Sequence, residues 1–243
     1  MKPRYYDNRV GYFNTGYIDF DANPQGVKNI SMIVRWRLEP KPEDVEKYKR
    51  GELVEPQKQI VFYVDPTTPK KWIPYLIQGV NDWNVAFERA GFKNAIIGKE
   101  APIGSDSTWG LEDARHSAIV YKPSDVLNAY GPTVVDPRSG EIIESHIGWF
   151  HNVMELLRNW YFVQAAAVDP AARKMIFDDE LMGELIRFVS AHEVGHTLGL
   201  MHNFAASVSN RSSVMDYPPP AVSLNANGNI DLANAYATGI GAW

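Results

Sequence analysis

The sequence predicts an α+β fold, and three observations carry that prediction. Short alternating or apolar runs at residues 29–38, 60–64, 95–97 and 117–121 read as strands. Trp72, Tyr75, Leu76, Gly79, Val80, Trp83 and Phe87 recur at three- and four-residue steps, the stripe of an amphipathic helix. A second stripe, Leu181, Leu185, Phe188 and Val189, leads into the string His192-Glu193-Val194-Gly195-His196-Thr197-Leu198-Gly199-Leu200-Met201-His202.

Taken in order, residues 1–28 are rich in Tyr, Asn, Asp and Gly with no helical period, and read as an irregular N-terminal extension. Residues 29–38 follow as the first strand. Residues 39–59 are charged and punctuated by proline, an exposed excursion. The strand at 60–64 is followed by Asp65-Pro66-Thr67-Thr68-Pro69, turn and helix-start chemistry, and then by one long helix ending near Gly91. Residues 95–97 and 117–121 read as buried strands with a Gly/Ser-rich loop between them. Asp136-Pro137-Arg138-Ser139-Gly140 sets a hairpin between 133–135 and 141–143. Residues 150–168 read as a helix. Asp178 and Asp179 offer an N-cap for the next one. His116, His146 and His151 read as hydrogen-bonded structural histidines.

Composition narrows the functional classes. A chain of 243 residues with 45% hydrophobic and 22% charged residues can bury one substantial core. A formal charge of −5 and no basic run argue against a nucleic-acid partner. No apolar stretch approaches the ~18 residues of a membrane span. The absence of cysteine excludes disulfides and thiolate metal ligands. The opening residues Met1-Lys2-Pro3-Arg4 do not form a signal peptide.

The histidine string has a physical logic. Residues four apart lie on one helix face, so His192 and His196 can grip one ion from a rigid support. Glu193 sits one step round, placed as a base rather than a ligand. Gly199 lets the helix stop in a left-handed turn and returns His202 as a third ligand. Three protein ligands leave a position for water, the arrangement of a catalytic rather than a structural Zn2+.

Downstream, Ser213-Val214-Met215-Asp216-Tyr217 is followed by Pro218, Pro219 and Pro220. Together with the string, this segment resembles the metzincin clan of zinc metalloproteases. Residues 5–13, 35–40, 62–66, 159–164 and His202-Asn203-Phe204 resemble the catalytic ("Met-zincin") domain of large multidomain bacterial zinc-dependent metalloproteases. The resemblance implies a twisted mixed β-sheet with long helices in an upper lobe, an active-site helix and a small loop-rich C-terminal lobe. It divides the chain after the extension at 1–28 into an upper catalytic lobe at 29–199 and a lower lobe at 200–243. The lower lobe holds His202 and the methionine turn. A C-terminal helix beneath that turn is expected to include residues 230–237, and part of it is expected to be missing from the end of the chain.

The resemblance also implies roles. Met215 is the methionine of the turn. Tyr217 is the tyrosine that swings between zinc and substrate. An edge strand at Gly131, Pro132, Thr133, Val134 and Val135 pairs with extended substrate. The pocket for the residue after the scissile bond is shaped by residues 203–213 and the methionine turn. The expected chemistry is peptide hydrolysis by zinc-activated water with Glu193 as general base, acting on peptide or protein substrates. An extracellular or periplasmic setting and a place in a larger multidomain protein follow from the same resemblance. The alternatives are a non-catalytic zinc- and peptide-binding module, a hydrolase of a non-peptide amide, and a peptidase whose third ligand is a distant glutamate.

Overall fold

The computed structural model describes residues 1–102, 104, 108–209, 213–216, 222–233, 235–236 and 239–240. Strand β1 (Asn14–Asn23) pairs antiparallel with β2 (Gly26–Ile33) as a separate two-stranded ribbon. Helix α1 (Val45–Lys49) precedes β3 (Ile60–Val64), and α2 (Ile73–Asn81) and α3 (Asn84–Arg89) precede β4 (Ile96–Glu100). Then come β5 (Ser117–Lys122), β6 (Ala129–Tyr130), β7 (Thr133–Asp136) and β8 (Glu141–Phe150). Helix α4 (Val153–Ala165) leads by a 3-10 turn to the 19-residue α5 (Asp179–Thr197). Two short strands, β9 (Ser223–Leu224) and β10 (Ile230–Asp231), close the order.

The main sheet is twisted and mixed, in the order β4-β3-β5-β8-β6, with β7 also on β8. Strands β4, β3, β5 and β8 are parallel, whereas β6 and β7 run antiparallel to β8. Phe62, Val64, Ile119, Ile147 and Trp149 from the sheet meet Leu76, Val80, Leu185 and Ile186 from α2 and α5 in one core. No described helix is long and apolar enough to cross a membrane.

Several expectations need correction. The extension at 1–28 is not wholly irregular, because it contributes β1 and the start of β2. β1 and the first half of β2 are exposed, with Phe20 at 74%, so they show no apolar alternation to read. The strand expected at 29–38 is therefore β2, ending at Ile33. The excursion at 39–59 holds α1, and Val54 is buried with Phe92 and Ala95 in a second small core. Residues 230–231 form a strand rather than helix, because Asn225 accepts the Asn227 and Asn229 amides at 3.0 Å each and closes a hairpin.

The single long helix expected up to Gly91 is two. Polar side chains around residue 82 have partners elsewhere. The Asn81 side chain accepts the Gly98 amide at 3.0 Å, and the Asn84 side chain bonds both the amide and the carbonyl of Ile96. Asp82 receives Arg187 of α5 through two bonds of 2.8 Å. These anchors dock the helix pair onto β4 and α5 at the cost of its continuity. Asp178 is the α5 N-cap residue, but its side chain makes no capping bond and instead pairs with Lys174 at 2.6 Å.

The contact of α2 with α5 depends on Gly79. A Cβ there would lie 2.6 Å from Ser190 Cβ and 2.7 Å from the Arg187 carbonyl. Gly79→Ala must therefore push apart the helix that carries the histidines. Its expected cost is about 1–3 kcal/mol of stability, measured by denaturant unfolding. An unchanged midpoint would show that the two helices separate freely.

Candidate metal centre

Helix α5 carries His192, Glu193 and His196 on its last two turns. It stops at Leu198, and Gly199 takes φ +96°. A side chain at Gly199 is excluded twice over, since its Cβ would also lie 2.2 Å from the Val34 carbonyl oxygen. The chain then returns His202. The ring nitrogens His192 Nε2 and His196 Nε2 each stand 3.1 Å from His202 Nε2. Among the described residues this trio is the one group of three or more potential ligands that could hold a metal.

Two of the other ring nitrogens have carbonyl partners. His192 Nδ1–H donates to the Val214 oxygen and His196 Nδ1–H to the Leu200 oxygen, each at 2.8 Å. A carbonyl can only accept, so both rings carry the proton on Nδ1 and present a lone pair at Nε2. Two such lone pairs beside a third imidazole nitrogen call for a cation. Nitrogens bound tetrahedrally to one zinc stand about 3.3 Å apart, so the donor set fits the ion. Burial favours the neutral, ligating form of each ring. It lowers the His192 pKa to about 4 and those of His196 and His202 below the usual imidazole value.

Burial falls from His192 through His196 to His202, so the trio opens to solvent on the His202 side. Glu193 is 7% exposed, and its Oε2 has no hydrogen-bond partner among the described residues. Burial raises its pKa to about 7.

The methionine turn supports the trio from below. Met215 is 1% exposed, and a Cβ at Gly195 would lie 2.1 Å from its sulfur and 2.8 Å from the Trp83 ring. The Val214 carbonyl orients His192, and the Met215 carbonyl accepts the Asn203 amide at 2.8 Å, next to His202. Tyr217 lies outside the described residues.

The edge segment is divided. Gly131 and Pro132 fall between β6 and β7, whereas Thr133, Val134 and Val135 lie in β7. Among the described residues both strands pair with β8 alone. A Cβ at Gly131 would lie 2.9 Å from the Glu193 carbonyl oxygen, so this edge runs against the ligand-bearing turn of α5. A recess of about 40 Å³ opens beside Glu193 and His192, walled by Ala129, Leu157, Trp160 and Val189.

Three supporting residues escaped the sequence reading. Gly195 was legible as a small residue inside the string, but its reason, the methionine sulfur, is tertiary. Trp83 appears as core, yet its indole N–H donates to the Ala191 carbonyl at 2.8 Å, one residue before the first histidine of the trio. Trp36 N–H donates to the Thr197 carbonyl at 2.8 Å from 161 residues away. His116, His146 and His151 stand apart from the trio. His146 contacts the His116 carbonyl and Glu144, and His151 contacts the Tyr121 hydroxyl.

Residues 174–243 match the Met-zincin family. The Met-zincin match and the converging histidines support a zinc metalloprotease. Residues 1–41, which include the segments 5–13 and 35–40, match a different family, Domain of unknown function (DUF5117). The two matches together indicate a multidomain organisation. Neither the curated proteins nor the solved structures gave a match.

The buried carboxylate gives a signature in the metal-free protein. The folded-state pKa of Glu193 is about 7 against 4.5 for the free side chain. Burial costs little below pH 4.5, where both states are protonated, and stability is lost as pH rises from 4.5 to about 7. Metal-free Glu193→Gln should match the wild type near pH 4 and exceed it by about 3 kcal/mol above pH 8. Unfolding of both proteins in chelator across that range measures the difference. A gap that does not change with pH would refute the burial argument.

Proposed function

We propose that the chain is a zinc-dependent endopeptidase domain in which Glu193 is the general base. One observation carries this reading. Three imidazole nitrogens converge at an open face, and beside them lies a buried carboxylate oxygen with no described partner. His192, His196 and His202 would hold the ion. Bound there, zinc supplies Lewis acidity towards water and a carbonyl oxygen. Glu193 takes the proton of the attacking water and delivers it to the leaving amine. In the metal-free protein burial raises the Glu193 pKa to about 7, and the water-poor pocket responsible also strengthens the field at the reacting atoms.

In this reading the outer edge of β7 pairs with an extended peptide through backbone groups, giving affinity with little sequence preference. Pro132 has no N–H to offer, so pairing runs through Thr133 to Val135. The recess beside Glu193 takes an apolar side chain next to the cleaved bond. By the metzincin resemblance, Tyr217 donates to the substrate oxyanion, and the domain works outside the cytoplasm as part of a larger protein.

Glu193→Gln should keep zinc and lose kcat by about 10²–10⁴-fold, the usual contribution of a positioned proton carrier. Peptide-library turnover with metal analysis of the same sample measures both. Full turnover by the zinc-loaded variant would overturn the base assignment. His202→Ala should lose zinc at equilibrium in dilute chelator, and retention would point to a distant carboxylate ligand. Zinc-loaded wild type that cuts no peptide would instead be a binding module, or an amidase if it hydrolyses small amides.

A further inference from the structure

The N-terminal segment matched to the second family lies against the metal-ligand loop. Residues 11–13 pair antiparallel with the link between the second and third histidines, Tyr12 opposite Leu200. Phe13 N–H donates to the Gly199 carbonyl at 2.7 Å, and Met201 N–H donates to the Gly11 carbonyl at 2.8 Å. Between those two bonds sits Leu200, whose carbonyl accepts the His196 Nδ1 proton. The Phe13 ring stands 5.7 Å from the His196 ring, although it is 40% exposed. The residue just after β2 continues the support. Val34 N–H donates to the Phe13 carbonyl at 2.9 Å, and the Val34 carbonyl closes over Gly199.

We infer that residues 11–13 form a strap that positions His196 and His202 for metal, so that the zinc site is completed by a segment outside the Met-zincin match. Leu200 and Met201 belong to no regular element of α5, and a five-residue return from helix end to His202 has many conformations. Two backbone bonds to the strap select one of them. They fix the Leu200 carbonyl that sets the His196 proton, and they fix the residue that precedes His202. The Phe13 ring packs beside the His196 ring and restrains it. Phe13 is thus a positioning residue, acting through the ligands.

This inference rests on the zinc reading, and its test separates the two. Phe13→Ala removes the ring. Phe13→Pro removes the N–H bonded to Gly199 while keeping an extended backbone. Phe20→Ala, on the exposed ribbon, serves as control. Zinc affinity is measured by competition with a chromophoric chelator, and the melting temperature of each metal-free protein is recorded alongside. Both Phe13 variants should bind zinc about 10–100-fold more weakly than wild type, the usual effect of losing support behind a ligand, with Phe20→Ala unchanged. If Phe13→Pro fails to fold, Phe13→Ala carries the test. Variants that melt earlier but bind zinc as tightly as wild type would overturn the strap, leaving only a structural contact. A wild type that binds no zinc would overturn the metal reading itself.

Discussion

Three imidazole nitrogens gathered within 4.8 Å of one another are the constraint around which the surrounding structure is arranged. His192 and His196 both turn a lone pair toward His202. Backbone groups hold the rings in that arrangement. Val214 and Leu200 offer carbonyls to the outer nitrogens, and Met215 takes the amide beside His202. Backbone carbonyls cannot change their hydrogen-bonding role, so each ring they hold has one tautomer and the ligating lone pair always points inward.

The helix that delivers two of those rings is held just as firmly. It lies across α2 at Gly79, takes the Trp83 indole at Ala191 and takes the Trp36 indole at Thr197. Trp83 and Met215 both approach Gly195, so the floor of the site and the core of the domain are one continuous packing. A change in that core would therefore be felt at the ligands, since packed interiors transmit strain rather than absorb it. Glu193 is the exception to the general pairing of polar groups. Its buried oxygen without a described partner is the kind of local inconsistency that functional sites retain.

Much of this could be read from residues alone. The histidine spacing placed the three imidazoles, Gly199 placed the turn, and the apolar stripes placed α5 and the helical region before β4. The turn at Met215 was expected from the metzincin resemblance rather than from the residues themselves. The reading failed where a strand has no buried face, as in β1 and the first half of β2, because exposure on both sides removes the alternation that marks a strand. It also failed at the junction of α2 and α3, where Asn81, Asp82 and Asn84 look like ordinary helix residues until their partners on β4 and α5 are known. The central strand β8 was half seen, as the return arm of a hairpin. Its continuation beside β5 is a long-range pairing with no local mark.

The sequence by itself determined the three histidines, their helical spacing and the glutamate beside them, because those depend on bonds only a few residues apart. Tertiary structure alone decided how tightly those histidines are held. The burial that shifts Glu193 and His192, the sulfur beneath Gly195 and the strap at Phe13 all bring together groups far apart in the chain, and local propensity contains no record of such contacts.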